Sequence, residues 1–572
     1  MSLAAFLPLL ISLAVFILPV WLLRPGRGAA ARDYFVSPHY TPPQAVRNSS
    51  IAYSLRLAIF GPVFVFGAVG NFWPVIIGAT CFGLGLYLVY ALRRQIFAFL
   101  ESALDADHSV TVHAFIARQY GDDPRVRLLA ASLTLFVLIA AVACEVFALL
   151  GFFKLVVGND TLARALAFGT LLLAVVYAVP AGHLGVIYSA QLQLGAIFFG
   201  LFGAAALLLY LQVSALMPLP AYGAFAIGFA AVFCLAILIY RRSRYIETGP
   251  VDPVSLSAKL LSKFGKVLNP VISIVVVLVI VLAGMEFFAT SSPIPPDAGG
   301  TLSSGSSMPF TGLVALVLLP LFYPLADIVH WQRLAAMEKN RQAYPGDTTG
   351  WQKGLREFFQ IYAVEIPLLW LFIASLGAIT VAALALANGT EVLQALIQEV
   401  ASGENPIAAA AFSLLLMVMV IMGLSTMAAD FSAGLCTIHY DLPSESVETF
   451  STSVAGRLFF LAIVIAVILV TEMLPMSFTS SSFVAVVFAL GSPVLSFAPL
   501  ILGPIVLRRM VSPSLGLCIM GLGGGSMAGG LTGYLATGNE TWLWAAVPAC
   551  LGLGFLLLAV SRLWDRQGSR IR

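Results

Sequence analysis

The sequence predicts an all-α integral membrane protein with an inverted-repeat core and extra helices. Three observations predict it. Of the 572 residues, 60% are hydrophobic and only 10% are charged, against roughly 45–50% and about 25% in soluble chains. Apolar segments of about 20 residues or more, each long enough to cross the hydrocarbon layer, recur from one end to the other. Two of these segments carry proline and a charge near their middle, as the first helix of each half does in transporters built from inverted repeats.

In order, the apolar segments fall near 3–23, 50–70, 73–93, 127–157, 162–180, 184–213, 219–240, 266–290, 309–335, 356–387, 407–440, 454–475, 480–507, 513–537 and 541–562. That gives about fifteen spans. The first lacks a basic leader and is long enough to span, so it reads as a retained helix rather than a signal peptide. The weakest is 513–537, whose GLGGGSMAGG run reads as a close-packing surface, glycine letting helices approach in lipid. Residues 109–126, SVTVHAFIARQYGDDPRV, are amphipathic and too polar to span, and read as a short interfacial helix.

Lysine and arginine set the orientation. Arg24, Arg27 and Arg32, then Arg93, Arg94, Arg118, Arg125 and Arg127, then Arg241, Arg242, Arg244, Lys259, Lys263 and Lys266 flank alternate loops. Arg333, Lys339, Arg341, Arg508, Arg509 and the tail SRLWDRQGSRIR continue the series. With fifteen spans all lie on one side, which places the N-terminus outside and the C-terminus inside.

The same composition excludes other classes. A net charge of +3 is too small for a nucleic-acid partner, and the six cysteines sit in or beside apolar segments, with neither disulfide nor metal spacing. No nucleophile–base constellation, phosphate loop or redox motif stands out, so the chain reads as a non-enzyme without a cofactor. The six histidines show no metal spacing and read as interfacial residues.

The stretch 413–442, SLLLMVMVIMGLSTMAADFSAGLCTIHYDL, concentrates the chemistry. Ser425 and Thr426 put two hydroxyls near mid-helix, which either bond back to their own helix or face a ligand. Asp430 follows one turn later, and a carboxylate at that depth is costly enough to be paired and functional. The two interrupted segments add the rest. In 50–70, Pro62 accompanies Arg56; in 309–335, Pro320 and Pro324 precede Asp327. Glu145, Glu286, Glu365 and Glu472 are further acids in apolar surroundings, each a proton relay or a helix-end group. Glu145 lies deepest and is kept as a coupling candidate, whereas Glu472 beside Pro475 reads as structural.

These residues resemble a family. MGLSTMAADFSAGLCTIHYDL resembles the eighth core helix of the sodium:solute symporter family, which includes sodium/proline and sodium/sugar symporters; Ser425, Thr426 and Asp441 fit its spacing. FYPLADIVHWQRLAAM resembles the sixth core helix, with Gln332 and Arg333 at its Gln-Arg pair. RDYFVSPHYTPPQAVRNSSIAYSL looks like the lead-in and first core helix, and VHAFIARQYGDDPRVRLLAA and YAVPAGHLGVIYSAQLQ resemble the second-loop and fifth-helix patterns. The likeness runs from about residue 30 to 510, as a divergent member.

The resemblance implies a Na+ site made of the Ala52 and Leu55 carbonyls and the Ser425 and Thr426 hydroxyls, oxygens that suit a hard cation. It implies solute beside that ion, with Tyr323 at the position of an aromatic gate and Ser54 in the unwound part of the first helix. Arg56 and Asp327 complete the candidate solute contacts. It implies a five-plus-five inverted-repeat transporter core and divides the chain into an extra N-terminal helix (1–30), a first half (45–213), two inserted helices (219–290), a second half (309–510) and extra C-terminal helices (511–572).

Two departures bear on the site. Ser189 and Ala190 stand where the family usually has Thr-Asp before its Gln, here Gln191 and Gln193. Arg56 follows a Na+-ligand position directly, where a guanidinium would repel the ion by several kcal/mol at intermediate dielectric. Arg56 therefore pairs with Asp430, or takes the cation's place, or clamps a substrate carboxylate. The resulting expectation is a multi-pass protein of the cell's inner (plasma) membrane that imports a small organic solute with a cation, Na+ first. Its partners are Na+, a solute that is carboxylate-bearing if Arg56 faces it, and the bilayer. Alternatives are a proton-coupled or ion-independent transporter with Arg56 replacing the cation, and a solute sensor acting through a separate partner, no kinase-like appendage following the last segment.

Overall fold

The computed structural model describes residues 34–36, 41, 43–106, 108–216, 308–343, 348–384, 406–442, 454–472, 481–507 and 511–571. The expected helix at 3–23, the inserted pair at 219–240 and 266–290, the basic loop between them and Glu286 lie outside these residues. The described residues are helical throughout their regular structure. Nine helices among them are long and apolar enough to cross a membrane, ten if one bent pair counts as a span. That count covers the described residues alone. The expected segments at 162–180 and 184–213 are the two helical stretches on either side of a break at Gly182, and the one at 454–475 falls on the helix Val454–Glu472.

The chain begins with α1 (Pro43–Ser54) and α2 (Leu57–Ala68), followed by α3 (Trp73–Ala91), α4 (Arg93–Asp105) and the short α5 (Val112–Gln119). Next come α6 (Pro124–Val157) and α7 (Asp160–Leu216). The second half holds α8 (Phe310–Ala326), α9 (Ile328–Ala343), α10 (Thr348–Ala383) and α11 (Pro406–Asp441). It continues through α12 (Val454–Glu472), α13 (Ser481–Leu495), α14 (Phe497–Leu507), α15 (Pro513–Thr537) and α16 (Thr541–Ile571).

Local chemistry explains where these elements start and stop. Asp123 caps α6, its carboxylate accepting the Arg125 N–H at 2.8 Å, and Pro124 fills the first helical position, where no N–H is needed. Hydrogen bonding to Arg125 holds the Asp123 carboxyl below its ordinary value. α6 ends on Gly158 in the left-handed region, φ 67°. The long α7 turns at Gly182, φ 60°, where a Cβ would come within 3.0 Å of the Tyr34 carbonyl oxygen, so both the backbone and the space require glycine. Across the α6–α7 corner, Lys154 and Arg164 bind Asp160, and Arg164 also reaches Glu472, a structural ion pair.

The centre of the molecule is α11, buried from Leu415 to Ile438 almost without interruption. An apolar helix hidden on all sides belongs inside a bundle rather than against lipid. It packs most extensively on α7, then on α6, and touches α1 and α2. α10 covers the outer side of α2 and α3. The α2–α10 contact depends on two glycines: a Cβ on Gly67 would lie 1.7 Å from the Ala374 carbonyl oxygen, and one on Gly377 2.0 Å from that of Phe64. Such backbone-to-backbone approach is how membrane helices gain packing energy where lipid supplies no hydrophobic drive. On the periphery, large apolar side chains such as Trp73, Val176, Phe310, Val506 and Leu535 stand exposed. In water they would aggregate, and in a bilayer they meet lipid.

The glycine-rich segment forms a helix, α15. Gly523 packs against Ser496, and Gly530 and Gly533 against Trp542, while Gly521, Gly525 and Gly529 have no neighbour within 4 Å of a built Cβ. One face of it is therefore a packing surface and the other is open.

Candidate functional site

Two interruptions of helical backbone face each other at the core. The first lies between α1 and α2, which are bent by 61°. Arg56 there is extended, φ −71° and ψ 136°. The Leu55 N–H donates to Ile51 O at 3.2 Å, and the next backbone pair runs from the Ile59 N–H to Arg56 O at 3.1 Å. The carbonyls of Ala52 and Leu55 are thus left outside the helical ladder. On the other side of the break, the freed Ala58 N–H donates to Glu145 Oε2 at 3.2 Å, so Glu145 of α6 caps α2 from a neighbouring helix. Ser54 is the last residue of α1, not part of an unwound stretch. The second interruption is Asp327, φ −76° and ψ 115°, between α8 and α9. Its Oδ1 accepts the Val329 N–H at 3.0 Å, a side-chain cap on the start of α9.

Charged and phenolic groups join the two breaks. Arg56 donates to both oxygens of Asp430, Nη1 to Oδ2 and Nη2 to Oδ1, each at 3.2 Å. The Arg56 side chain is 12% exposed and that of Asp430 0%. With so little water at either charge, removing one partner strands the other buried and uncompensated, which is costly. Arg56 Nη2 also donates to Tyr53 Oη and, at 3.3 Å, to Tyr323 Oη. Tyr53 Oη lies 3.1 Å from Asp430 Oδ1 and 3.4 Å from Asp327 Oδ1. It has one proton to give, so a single phenol serves two carboxylates.

From Asp327 the contacts continue. His330 Nδ1 is 2.6 Å from Asp327 Oδ2, His330 Nε2 is 2.6 Å from Tyr362 Oη, and Tyr362 Oη is 2.5 Å from Ser54 Oγ. The path ends where it began, at the α1–α2 break. Arg333 lies over the Tyr53 ring at 4.8 Å and donates to Ser49 O and Oγ, both at 3.1 Å. Of these groups, Tyr53, Ser54, Arg56, Tyr323 and His330 line a cavity of about 170 Å³, whose wall is otherwise mostly apolar and aromatic, including Phe66, Phe82, Trp370 and Phe488.

The expected residues fall into three groups. Ser54, Arg56, Tyr323 and Glu145 line the cavity, and Asp327 and Asp430 sit directly behind it through Tyr53 and Arg56. Ala52 and Leu55 lie at the break, with α11 against it: a Cβ on Gly423 would lie 3.5 Å from the Leu57 side chain. Thr426 is three residues, less than one turn, from Gly423, and its hydroxyl donates back to Met422 O at 2.9 Å, the self-satisfied arrangement common within helices. Its oxygen lone pairs remain free to accept.

One histidine departs from the sequence reading: read as interfacial, His330 lines the cavity. His113 is fully buried, with a partner at each ring nitrogen. Asp327 caps α9 and His330 stands three residues on, in the first turn, a spacing visible in the sequence; nothing local marks Tyr53 or Tyr362. His113 belongs to a second cluster at the end of α11. Asp441 Oδ1 accepts from Ser109 Oγ (3.0 Å), Thr111 Oγ1 (2.9 Å) and Arg127 Nε (2.8 Å), and Oδ2 from His113 Nδ1 (2.7 Å). Four side chains from the 109–127 segment thereby fasten α5 and the start of α6 to α11.

No family model matches the sequence, and no curated protein does. Among solved structures, a Na+-coupled sialic acid symporter in a substrate-bound, outward-open state is similar, with a TM-score of 0.58 over 98% of each chain and 15% identical residues. At that identity the likeness is one of fold: this chain is an all-α, multi-pass membrane protein with the architecture of a Na+-coupled symporter.

Proposed function

We propose that this chain is a cation-coupled secondary symporter, seated in the plasma membrane, that imports a small organic solute by alternating access with Na+ as the coupling ion. The observation that carries this reading is the α1–α2 break. It leaves the Ala52 and Leu55 carbonyls outside the helical ladder, where α11, the helix that carries Ser425 and Thr426, packs against α1 and α2, beside a cavity with polar and apolar walls. Carbonyl and hydroxyl oxygens are the donor set a hard monovalent cation favours, and broken helices at mid-membrane are where such transporters bind ion and solute. Ser54, Arg56, Tyr323 and Asp327 are the solute contacts in this reading. A carboxylate-bearing solute fits the guanidinium, and the sialic acid carried by the structural neighbour is such a molecule.

One observation favours a second reading. Arg56 places its guanidinium at the break and Asp430 holds it there, which is what a transporter coupled to protons, or to no ion, needs if arginine stands in for the cation. Solute counterflow in proteoliposomes decides between them. The panel is N-acetylneuraminate, L-proline, pyruvate and glucose, each with Na+ and with choline. Counterflow that requires Na+ supports the first reading, counterflow indifferent to Na+ supports the second, and binding without counterflow overturns both.

A further inference from the structure

The hydrogen-bonded path from Asp327 to Ser54 has a polarity, and that polarity depends on one proton. A carboxylate only accepts, so His330 Nδ1, 2.6 Å from Asp327 Oδ2, carries a hydrogen in either charge state. The variable atom is Nε2, 2.6 Å from Tyr362 Oη. With neutral imidazole, Nε2 accepts from the Tyr362 hydroxyl. The Tyr362 oxygen then accepts from Ser54, 2.5 Å away, and Ser54 spends its proton away from the cavity it lines. With imidazolium, Nε2 donates to the Tyr362 oxygen, Tyr362 donates to Ser54 Oγ, and the Ser54 hydrogen is released toward the cavity.

We propose that His330 is a proton-binding residue of the solute site, and that Tyr362 relays its charge state to Ser54, so that an anionic, carboxylate-bearing solute is bound together with one proton. The inference rests on the reading of this chain as a solute transporter and holds whether or not Na+ also binds.

The surroundings suit the step. Facing His330 are Asp327 on its own element, Tyr362 from α10, and Tyr53 from α1, whose ring centroid lies 5.9 Å away. Beyond Tyr53 stand Arg56, Asp430 and Arg333, and Glu145 lines the same cavity. The Asp327 and Asp430 carboxylates balance the Arg56 and Arg333 guanidiniums. With a neutral histidine nothing is left to offset an incoming anion, and an imidazolium supplies that charge. His330 itself lines the cavity, so a proton reaches it from the same space as the solute. No bond other than O–H and N–H is made or broken: the proton comes from cavity water and returns there.

The test uses the full chain in lipid nanodiscs with ¹⁵N-labelled histidine, His330 being assigned by the signal that His330→Gln removes or, if that variant does not fold, that Tyr362→Phe shifts. The expected result is an Nδ1 that stays protonated and an Nε2 that gains a hydrogen as pH is lowered. At least one of acetate, pyruvate, L-proline and N-acetylneuraminate then moves that transition to higher pH, and its apparent affinity falls about tenfold per pH unit above the transition. Tyr362→Phe and Ser54→Ala abolish the solute-induced movement while His330 still titrates, and Ser54→Thr restores it. The proposal is overturned if Nε2 never changes state while the protein stays folded. It is also overturned if no carboxylate moves the transition, or if Tyr362→Phe leaves the movement intact. Counterflow in proteoliposomes reads the transport assignment separately: a solute-linked transition without counterflow sinks that assignment and leaves the proton relay standing.

Discussion

Arg56 and Asp430, 374 residues apart, meet through two parallel hydrogen bonds, Nη1 to Oδ2 and Nη2 to Oδ1, each 3.2 Å long. The pair spans the α1–α2 break and the central helix α11, so it ties a break in the first half to the most buried element of the second.

Breaking it from one side strands a buried charge, at a cost of about 3–5 kcal/mol. Arg56→Gln is expected to lower the melting temperature and reduce solute counterflow at least tenfold. Asp430→Asn added to it removes the stranded charge and is expected to restore much of the stability. Rescue of stability without rescue of counterflow assigns Arg56 a direct contact with solute, read from the same two measurements on the single and double variants.

If Ser425 and Thr426 hold Na+, the ion stabilises the folded protein by mass action, about 2.7 kcal/mol at one hundred times its dissociation constant. Titrating Na+ against choline in a thermal-shift assay is expected to raise the melting temperature of the wild type. Ser425→Ala with Thr426→Val, which preserves shape and removes both hydroxyl oxygens, is expected to flatten that response. An unchanged response would move the ion elsewhere.

Glu145 caps α2 through the Ala58 N–H. Glu145→Gln keeps an acceptor oxygen and is expected to leave stability within about 1 kcal/mol, whereas Glu145→Ala leaves the N–H without its partner and costs about 1–3 kcal/mol. Chemical-denaturation midpoints of the two variants in detergent separate them, and equal midpoints would remove the capping role.

Asp441 gathers four side-chain donors from residues 109, 111, 113 and 127. Asp441→Asn substitutes an amide N–H for one accepting oxygen and faces a donor with a donor. Hydrogen exchange of the 109–120 backbone is expected to accelerate at least tenfold, while exchange in the middle of α11 is unchanged. Uniform acceleration across both would mean that the cluster holds the whole fold rather than α5.

Two glycine substitutions are expected to differ sharply. Gly67→Ala drives a methyl into the Ala374 carbonyl, and Gly521→Ala enters open space. The first is expected to abolish folded protein in size-exclusion chromatography, or to cost several kcal/mol by prying α2 from α10. The second is expected to elute as the wild type does.

The sequence by itself determined that this chain lives in a membrane, where most of its spans run, and that two of them are interrupted. Those properties are local. The length of an apolar run, a proline that cannot donate, and a charge at mid-span act within one helix and are written in consecutive residues. It also marked Arg56, Asp327, Asp430 and Glu145, because ionised groups are too costly in hydrocarbon to lie there without a purpose.

Which partner each of these takes was decided by the tertiary structure. Arg56 had three open roles in the sequence, and only the packing of α2 against α11 brings Asp430 within reach. His330 and Tyr362, thirty-two positions apart, carry no local signature of contact. His113 and Asp441 read as interfacial and helix-closing residues until α5 folds against the end of α11. A hydrogen bond selects its partner over about 3 Å, a length set by how helices from both halves of the chain dock, and no run of neighbouring residues encodes it.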